Sequence, residues 1–178
     1  MDKNIILDSP AIEKILKRFS HEIIEQHSDL ENLAIIGICT RGEIIGRRVS
    51  ENLKLISKFN IPFGILDITL YRDDVRESIE QPILKRTEIN FDITNKKIIL
   101  IDDVLFTGRT IRAALNALND IGRPKLIELC VLIDRGHREI PIRPDYVGKN
   151  IASNRNDKVI VKVKEFDNED LVFIEKVN

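Results

Sequence analysis

The sequence predicts an α/β fold in which helices flank a central parallel sheet. Three apolar runs, at residues 33–38, 97–101 and 126–133, show no alternation, which is typical of strands covered on both faces. Segments with helical spacing of apolar residues lie between these runs. An order of strand, helix, strand, helix, strand favours parallel strands joined by right-handed crossovers.

Each predicted helix has a recognisable beginning or end. Ser9 and Pro10 supply an N-cap and a first-turn proline, after a short strand at residues 4–7. A second helix follows the turn at residues 40–42, and a third ends at Gly122, with Pro124 shortly after it. The apolar positions that define the helical faces are Ile12, Leu16, Phe19, Ile23, Ile45, Val49, Leu53, Ile111, Leu115 and Leu118.

Two segments depart from this alternation. Residues 71–92 are charged, contain Pro82 and show neither period, so we expect a long mobile loop or an edge hairpin. After Asp134, short strand candidates at 146–147, 159–163 and 171–174 indicate a small C-terminal cap, at about 134–178. A length of 178 residues with 43% hydrophobic content fits a single domain over 1–178.

Composition excludes several classes of protein. Lys and Arg number 28 against 29 Asp and Glu, so no global positive field attracts nucleic acid. The apolar runs are far shorter than the roughly 20 residues of a membrane helix, and the first residues lack a signal-peptide pattern, which leaves the cytoplasm as the default. Cys39 and Cys130 lie in apolar runs and are predicted to pack in the core, and three histidines leave little material for zinc.

The segment at residues 98–110 has the pattern of a ligand site. A buried strand leads to Asp102 and Asp103, then to a turn with Thr107 and Gly108, and then to a helix. Backbone N–H groups at such a helix start favour a phosphate, whereas adjacent carboxylates suit the hydroxyls of a sugar. The alternative is a polar strand end with an ordinary turn. Neither a Walker sequence nor a GxGxxG loop competes as a nucleotide site.

Residues 98–110 resemble the motif that binds 5-phosphoribosyl-1-pyrophosphate (PRPP) in type I phosphoribosyltransferases. Residues 37–42, 68–74, 134–139 and 146–151 extend the resemblance to the bacterial family of bifunctional pyrimidine-operon attenuation regulators and uracil phosphoribosyltransferases. The last two segments distinguish that family from other phosphoribosyltransferases. Phe106 stands where a tyrosine is usual, and residues 152–154 replace a Pro-Thr-Ser-like stretch.

The resemblance implies a type I phosphoribosyltransferase-like fold and an enzyme that converts uracil and PRPP to uridine monophosphate (UMP) and diphosphate. It implies Mg²⁺ bound mainly through PRPP or diphosphate. Asp102 and Asp103 would be the catalytic pair facing the ribose, while Arg135 and the main chain near Val159 would read the base. The other residues expected to bind PRPP or nucleotide are Thr40, Arg41, Gly42, Arg72, Lys85, Arg86, Val104, Leu105, Phe106, Thr107, Gly108, Arg109 and Thr110.

The same resemblance implies a second function. Residues 134–158 carry six basic and four acidic side chains, and this small excess alone favours an ordinary solvated face. In the family, a homodimer or higher homo-oligomer binds a leader mRNA stem-loop with UMP as co-regulator. The candidate RNA-binding residues are Lys17, Arg18, His21, His137, Arg138, Arg143 and Lys149.

Two alternatives stay open. One is a phosphoribosyltransferase for another base, orotate or a purine, without RNA binding. The other is an RNA-binding regulator with little catalytic activity, in which the PRPP site serves mainly as a sensor. Both carboxylates and Arg41 favour live catalysis, whereas His137, Arg138 and Lys149 favour RNA binding.

Overall fold

A computed structural model describes residues 3–71 and 86–177. Strands alternate with helices or a 3-10 turn as far as the fifth strand. The sixth and seventh strands then follow directly, and a short helix separates the seventh strand from the eighth. The elements are β1 (Lys3–Leu7), α1 (Ser9–Gln26), β2 (Leu33–Ile38), α2 (Arg41–Ser57), β3 (Phe63–Leu66), a 3-10 turn (Thr69–Tyr71), β4 (Lys97–Leu105), α3 (Arg109–Ile121), β5 (Leu126–Asp134), β6 (Tyr146–Asn150), β7 (Lys158–Lys162), α4 (Lys164–Asp167) and β8 (Leu171–Glu175).

The main sheet has five parallel strands in the order β3-β2-β4-β5-β6, which confirms the predicted fold class. Its central strand, β4, is buried on both faces. Ile99 and Ile101 pack with α1 and α2 on one face, whereas Ile98 and Leu100 pack with α3 on the other. Since parallel strands end at a common edge, the residues that follow β2 and β4 meet there.

The predicted C-terminal cap is only partly correct. Residues 146–150 form β6, the edge of the main sheet, where Tyr146 pairs with Cys130 of β5. The separate small sheet has the antiparallel order β1-β8-β7 and therefore recruits the first strand of the chain. Short strands carry little information about their partners, so the pattern predicted their existence but not their sheet.

Three local features also differ from expectation. The N-cap of α1 is Asp8, whose Oδ1 accepts a 3.0 Å hydrogen bond from the Ala11 N–H, and Ser9 is already helical. Strand β4 continues to Leu105 because it keeps pairing with β5, so the turn starts later than predicted. Cys130 is buried, as expected, and burial raises the pKa of its thiol, but Cys39 is half-exposed.

Residues 72–85 lie outside the described part of the chain, so most of the predicted loop at 71–92 is untested. Just beyond them, Glu88 forms an antiparallel bridge with Ile65 of β3, with backbone hydrogen bonds of 2.8 and 2.9 Å. The chain at Glu88 therefore lies beside β3, at the edge of the main sheet. Within the described ranges, no helix has the length and apolar character needed to cross a bilayer.

Candidate active site and RNA-facing surface

A polar cleft of about 260 Å³ lies where β2 and β4 end. Strand β2 leads into Thr40 and Arg41 on one side, and β4 brings Asp102 and Asp103 to the other. Thr110, in the first turn of α3, completes the wall. Residues predicted separately to contact diphosphate, ribose and phosphate are thus brought around one space.

The acidic pair, Asp102 and Asp103, is held by its own backbone. Asp102 is 5% exposed, and its Oδ1 accepts a 2.9 Å hydrogen bond from the Asp103 N–H. The Oδ1 atom of Asp103 accepts a 2.8 Å hydrogen bond from the Val104 N–H. Removal from water raises the pKa of the Asp103 carboxyl, although the Val104 hydrogen bond and the charge of Arg41 oppose the rise. Ionisation of Asp103 is therefore less favourable in the folded protein than in water.

The loop at residues 104–110 has the backbone expected of a phosphate site. Gly108 is the N-cap of α3 with φ of 93°, a left-handed conformation that glycine adopts without strain. The first N–H groups of α3 have no intrahelical partners and point beyond the helix start. Val104 lines the cleft, whereas the Leu105 side chain is 1% exposed in the core, so only its backbone could contact a ligand.

Residues 134–140 brace this loop from behind. The carbonyl oxygen of Thr107 accepts hydrogen bonds from the N–H groups of Glu139 and Ile140, at 2.9 and 3.1 Å. Arg109 also pairs with Glu139, through a 2.7 Å contact from Nε to Oε2. The segment that distinguishes the family is therefore part of the support of the loop at 104–110.

Arg135, expected to read the base, has structural partners. Its Nη1 and Nη2 atoms each donate a 2.8 Å hydrogen bond, to the carbonyl oxygens of Asp157 and Asn154. Its Cζ lies 4.1 Å from the ring centroid of Phe106, and burial lowers the pKa of the guanidinium. Val159, on β7, is half-buried and packs against the core. Neither side chain lines the cleft at the ends of β2 and β4.

Helix α2 begins directly at the cleft. A Cβ on Gly42 would lie 2.6 Å from the Ile101 carbonyl oxygen, so only glycine lets the start of α2 approach β4 this closely. Arg41 is ion-paired with Asp167 of α4, a partner that the sequence analysis missed. The only hint in the sequence was the cluster of acids Glu165, Asp167 and Asp170, with which Arg41 and Arg48 form ion pairs in the structure.

Of the three cationic candidates of the predicted mobile loop, the structure describes only Arg86. Arg72 and Lys85 lie outside the described ranges. Arg86 is exposed and has a long 3.6 Å contact with Glu88, and it does not line the cleft. Their contact with diphosphate stays a prediction.

The two halves of the predicted RNA surface, α1 and the segment around β6, are joined in the structure. Nη2 of Arg18 donates to the carbonyl oxygens of Val147 and Gly148, at 2.8 and 2.9 Å. Arg18 and Arg143 line one cleft of about 400 Å³. His21 and Lys149 are exposed, whereas Lys17 lines a separate groove beside Arg48. The two halves therefore form one surface, and the hydrogen bonds of Arg18 link them.

Arg138 is less accessible than the RNA prediction assumes. Its guanidinium donates to the carbonyl oxygens of Phe106 and Ile142, and it pairs with Asp134 at 2.6 Å. His137 also has a partner, since its Nε2 lies 2.7 Å from the Ser153 carbonyl oxygen. Tyr146, the only Phe, Tyr or Trp residue of 134–158, is buried and cannot stack on a base. Lys149 donates a longer hydrogen bond, 3.3 Å from Nζ to the Ile6 carbonyl oxygen, and both Lys149 and Arg143 are exposed. Arg143 and Lys149 are therefore the better candidates for phosphate contacts.

Known proteins with the same architecture are phosphoribosyltransferases. The chain aligns over 99% of its length, with a TM-score of 0.75 and 16% identity, with a hypoxanthine-guanine phosphoribosyltransferase of Bacillus anthracis, all of which is covered. Hypoxanthine phosphoribosyltransferase of Trypanosoma cruzi gives a TM-score of 0.72 at 16% identity, with 96% and 95% of the two chains covered. At this identity the likeness shows the fold alone.

Sequence comparison gives the family. A profile of the phosphoribosyl transferase domain matches residues 2–167. "Bifunctional protein PyrR" of Caldicellulosiruptor saccharolyticus is 53% identical over 97% of this chain and 95% of its own length. The protein of the same name from Halalkalibacterium halodurans is 51% identical over 97% of each chain. The chain therefore belongs to the phosphoribosyl transferase domain family and, within it, to the bifunctional PyrR proteins.

Proposed function

We propose that the protein transfers ribose 5-phosphate from PRPP to uracil, giving UMP and diphosphate, and that it also regulates pyrimidine operons by binding leader mRNA. The observation that carries the catalytic part is the convergence of the acidic pair, Arg41 and the start of α3 around one cleft. The name and nearly full-length similarity of the PyrR relatives support the combination of two functions.

The transfer breaks the bond from ribose C1 to diphosphate and forms a bond from C1 to N1 of uracil, whose proton leaves to solvent. Positive charge develops on the ribose ring during this step. Carboxylates of Asp102 and Asp103 accept hydrogen bonds from the ribose hydroxyls and stabilise that charge. The N–H groups at residues 107–110 hold the 5-phosphate, and Arg41 neutralises the departing diphosphate.

Phosphoribosyltransferases of this family generally use Mg²⁺ together with PRPP. The described residues contain no cluster of three or more acidic, histidine or cysteine side chains that could hold a metal by themselves. Two adjacent carboxylates beside a diphosphate site do fit an ion that keeps much of its water. Mg²⁺ supplies charge neutralisation of the diphosphate when bound, and Asp102 and Asp103 are the residues within the cleft that would hold it through water.

The RNA-binding part rests on the surface formed by α1 and the segment around β6. Arg143 and Lys149 are exposed there, and the hydrogen bonds from Arg18 to the carbonyl oxygens of Val147 and Gly148 hold the two halves together. A symmetric homodimer would present two such surfaces to a leader stem-loop, with UMP in the cleft as co-regulator. Both PRPP and nascent mRNA occur in the bacterial cytoplasm, so we assign the protein to that compartment.

We expect the purified protein with Mg²⁺ to convert uracil and PRPP to UMP and diphosphate, with a higher kcat/KM than for hypoxanthine or orotate. This preference is expected from the nearly full-length similarity to the bifunctional PyrR proteins, which includes the segment at 134–139. Radiolabelled bases assayed side by side with one enzyme preparation measure the preference. A higher kcat/KM for a purine or for orotate would overturn the uracil assignment. Absence of turnover with all three bases, alongside specific leader binding, would favour the regulator with little activity.

A further inference from the structure

The pair formed by Arg41 and Asp167 connects the start of α2 with the short helix α4. The Arg41 Nε donates to Asp167 Oδ2 at 3.1 Å, and its Nη2 donates to Oδ1 at 2.8 Å. The Arg41 Cζ also lies 5.4 Å from the ring centroid of Phe166. Both charged side chains are largely shielded from water, at 30% and 14% exposure. A shielded bidentate pair with a ring against it fixes the plane of the guanidinium.

This arrangement uses only one edge of the guanidinium. Arginine has five N–H donors, and Asp167 takes one on Nε and one on Nη2. Both N–H groups of Nη1 and the second N–H of Nη2 remain, and within the described residues Nη1 makes no hydrogen bond. Arg41 lines the cleft together with Thr40, Asp102 and Asp103. The free edge is thus the one available to an anion bound in that cleft.

Asp167 is itself held in place. Its Oδ2 accepts a 2.9 Å hydrogen bond from the Val163 N–H at the start of α4. Arg48, two helical turns after Arg41 on α2, pairs with Glu165 and Asp170 on either side of Asp167. Two arginines of one face of α2 therefore anchor α4, but only Arg41 reaches the cleft. The hydrogen bonds from Arg41 lower the pKa of the Asp167 carboxyl, which keeps it ionised at neutral pH.

We propose that Asp167 is a positioning residue for diphosphate: it holds Arg41 by Nε and Nη2, so that the remaining donors meet the diphosphate of PRPP. This role rests on the proposed function of Arg41. It makes the small sheet and α4 part of the diphosphate site, although α4 lies far along the chain from the loop at 40–42. Without Asp167, the guanidinium would sample several rotamers, and diphosphate would bind at the cost of ordering it.

The test is Asp167→Asn. An asparagine oxygen in the place of Oδ2 can still accept the Val163 N–H, so the start of α4 is kept, but the NH₂ group then takes the place of Oδ1 and faces the Nη2 donor of Arg41. Loss of a charge-assisted pair should raise KM for PRPP and the Kd for magnesium diphosphate about tenfold, with a smaller change in kcat. Isothermal titration with magnesium diphosphate and steady-state kinetics measure both. Asp167→Glu, which keeps the charge, should restore part of the affinity.

Glu165→Gln is the matched control, because it removes one carboxylate from the same helix but pairs with Arg48. We expect it to leave diphosphate affinity unchanged. Unchanged affinity in Asp167→Asn, or an equal loss in Glu165→Gln, would overturn the role of Asp167. Tighter binding in Asp167→Asn would also overturn it, since Asp167 would then compete with diphosphate. If the wild type binds no diphosphate, the assignment of Arg41 fails, and the role of Asp167 fails with it.

Discussion

Asp102→Asn and Asp103→Asn should each lower kcat/KM for uracil transfer by roughly ten- to a hundredfold. A charge-assisted hydrogen bond contributes about 1.5–3 kcal/mol, and about 1.4 kcal/mol corresponds to a factor of ten in rate. Each asparagine keeps an oxygen for the backbone N–H that its carboxylate now accepts, at Asp103 and Val104 respectively. The local backbone should therefore persist while the charge facing the ribose is lost.

Steady-state kinetics with saturating uracil and varied PRPP test this expectation, with circular dichroism as the check on folding. Asp120→Asn is a suitable control, because that carboxylate accepts a hydrogen bond from Tyr71 at the far end of α3. Rates close to wild type in both Asp102→Asn and Asp103→Asn would remove the acidic pair from the reaction.

Although Asp103→Asn should lower the rate of uracil transfer, it should raise the stability of the fold at neutral pH. The pKa of this carboxyl is raised in the folded protein, so its contribution to stability is present at low pH and is lost as the pH rises. At pH 7 the partly buried charge of Asp103 therefore destabilises the fold, and Asp103→Asn should melt at a higher temperature than the wild type. The difference should shrink as the pH falls toward 4, near the ordinary pKa of aspartate. Melting curves over a pH series measure it.

The second large effect concerns RNA. An Arg143→Glu, Lys149→Glu double variant should lose about tenfold or more in affinity for leader RNA, because both side chains are exposed on the surface joined by Arg18. Each lost phosphate contact reduces the magnitude of the log–log salt slope by about 0.7–0.9. Uracil transfer should stay close to the wild-type rate, because neither residue lines the cleft at the ends of β2 and β4. Filter binding over a salt series and initial rates on the same preparations measure the two effects.

An Arg123→Glu, Lys125→Glu variant is the matched control. It makes the same change in charge on exposed residues that lie just before β5, at the end of the strands opposite the cleft. Arg138 is left intact, since its bonds to Phe106 and Asp134 support the PRPP loop and its loss would mix both effects. Equal RNA affinity for the test and control variants would contradict the assigned surface. A wild type that binds scrambled RNA as well as leader RNA would contradict the regulatory function.

The inner strands of the main sheet could be predicted from the sequence because they are buried on both faces. Short continuous apolar runs such as Ile98 to Ile101, which polar residues bound, are typical of such strands. The edge strand β6 and the small sheet were harder to predict, since these strands are short and only partly buried and therefore fit several partners. The pairing of β1 with β8 is a property of tertiary packing that no local pattern contains.

The candidate site could likewise be predicted only in part. The acidic pair and Gly108 follow directly on one strand, so adjacency in sequence was enough to group them. Arg41 was predicted at the cleft, but its partner Asp167 lies on a distant helix and could not be identified by spacing. Positive charge alone also suggested that Arg138 is free for RNA. Only the structure shows that carbonyl oxygens and Asp134 already occupy its donors.

Strand β1 pairs with β8, so the small sheet joins segments that are separated by almost the whole length of the chain. The entropy cost of closing a loop increases with its length, by about 0.6 kcal/mol for each doubling. Neighbouring strands of the main sheet close much shorter loops. During synthesis the parallel sheet can therefore assemble while the small sheet must wait for β8 to emerge. The small sheet and helix α4, which carries Asp167, are then the last parts of the protein to form, and an incomplete chain has Arg41 without its partner.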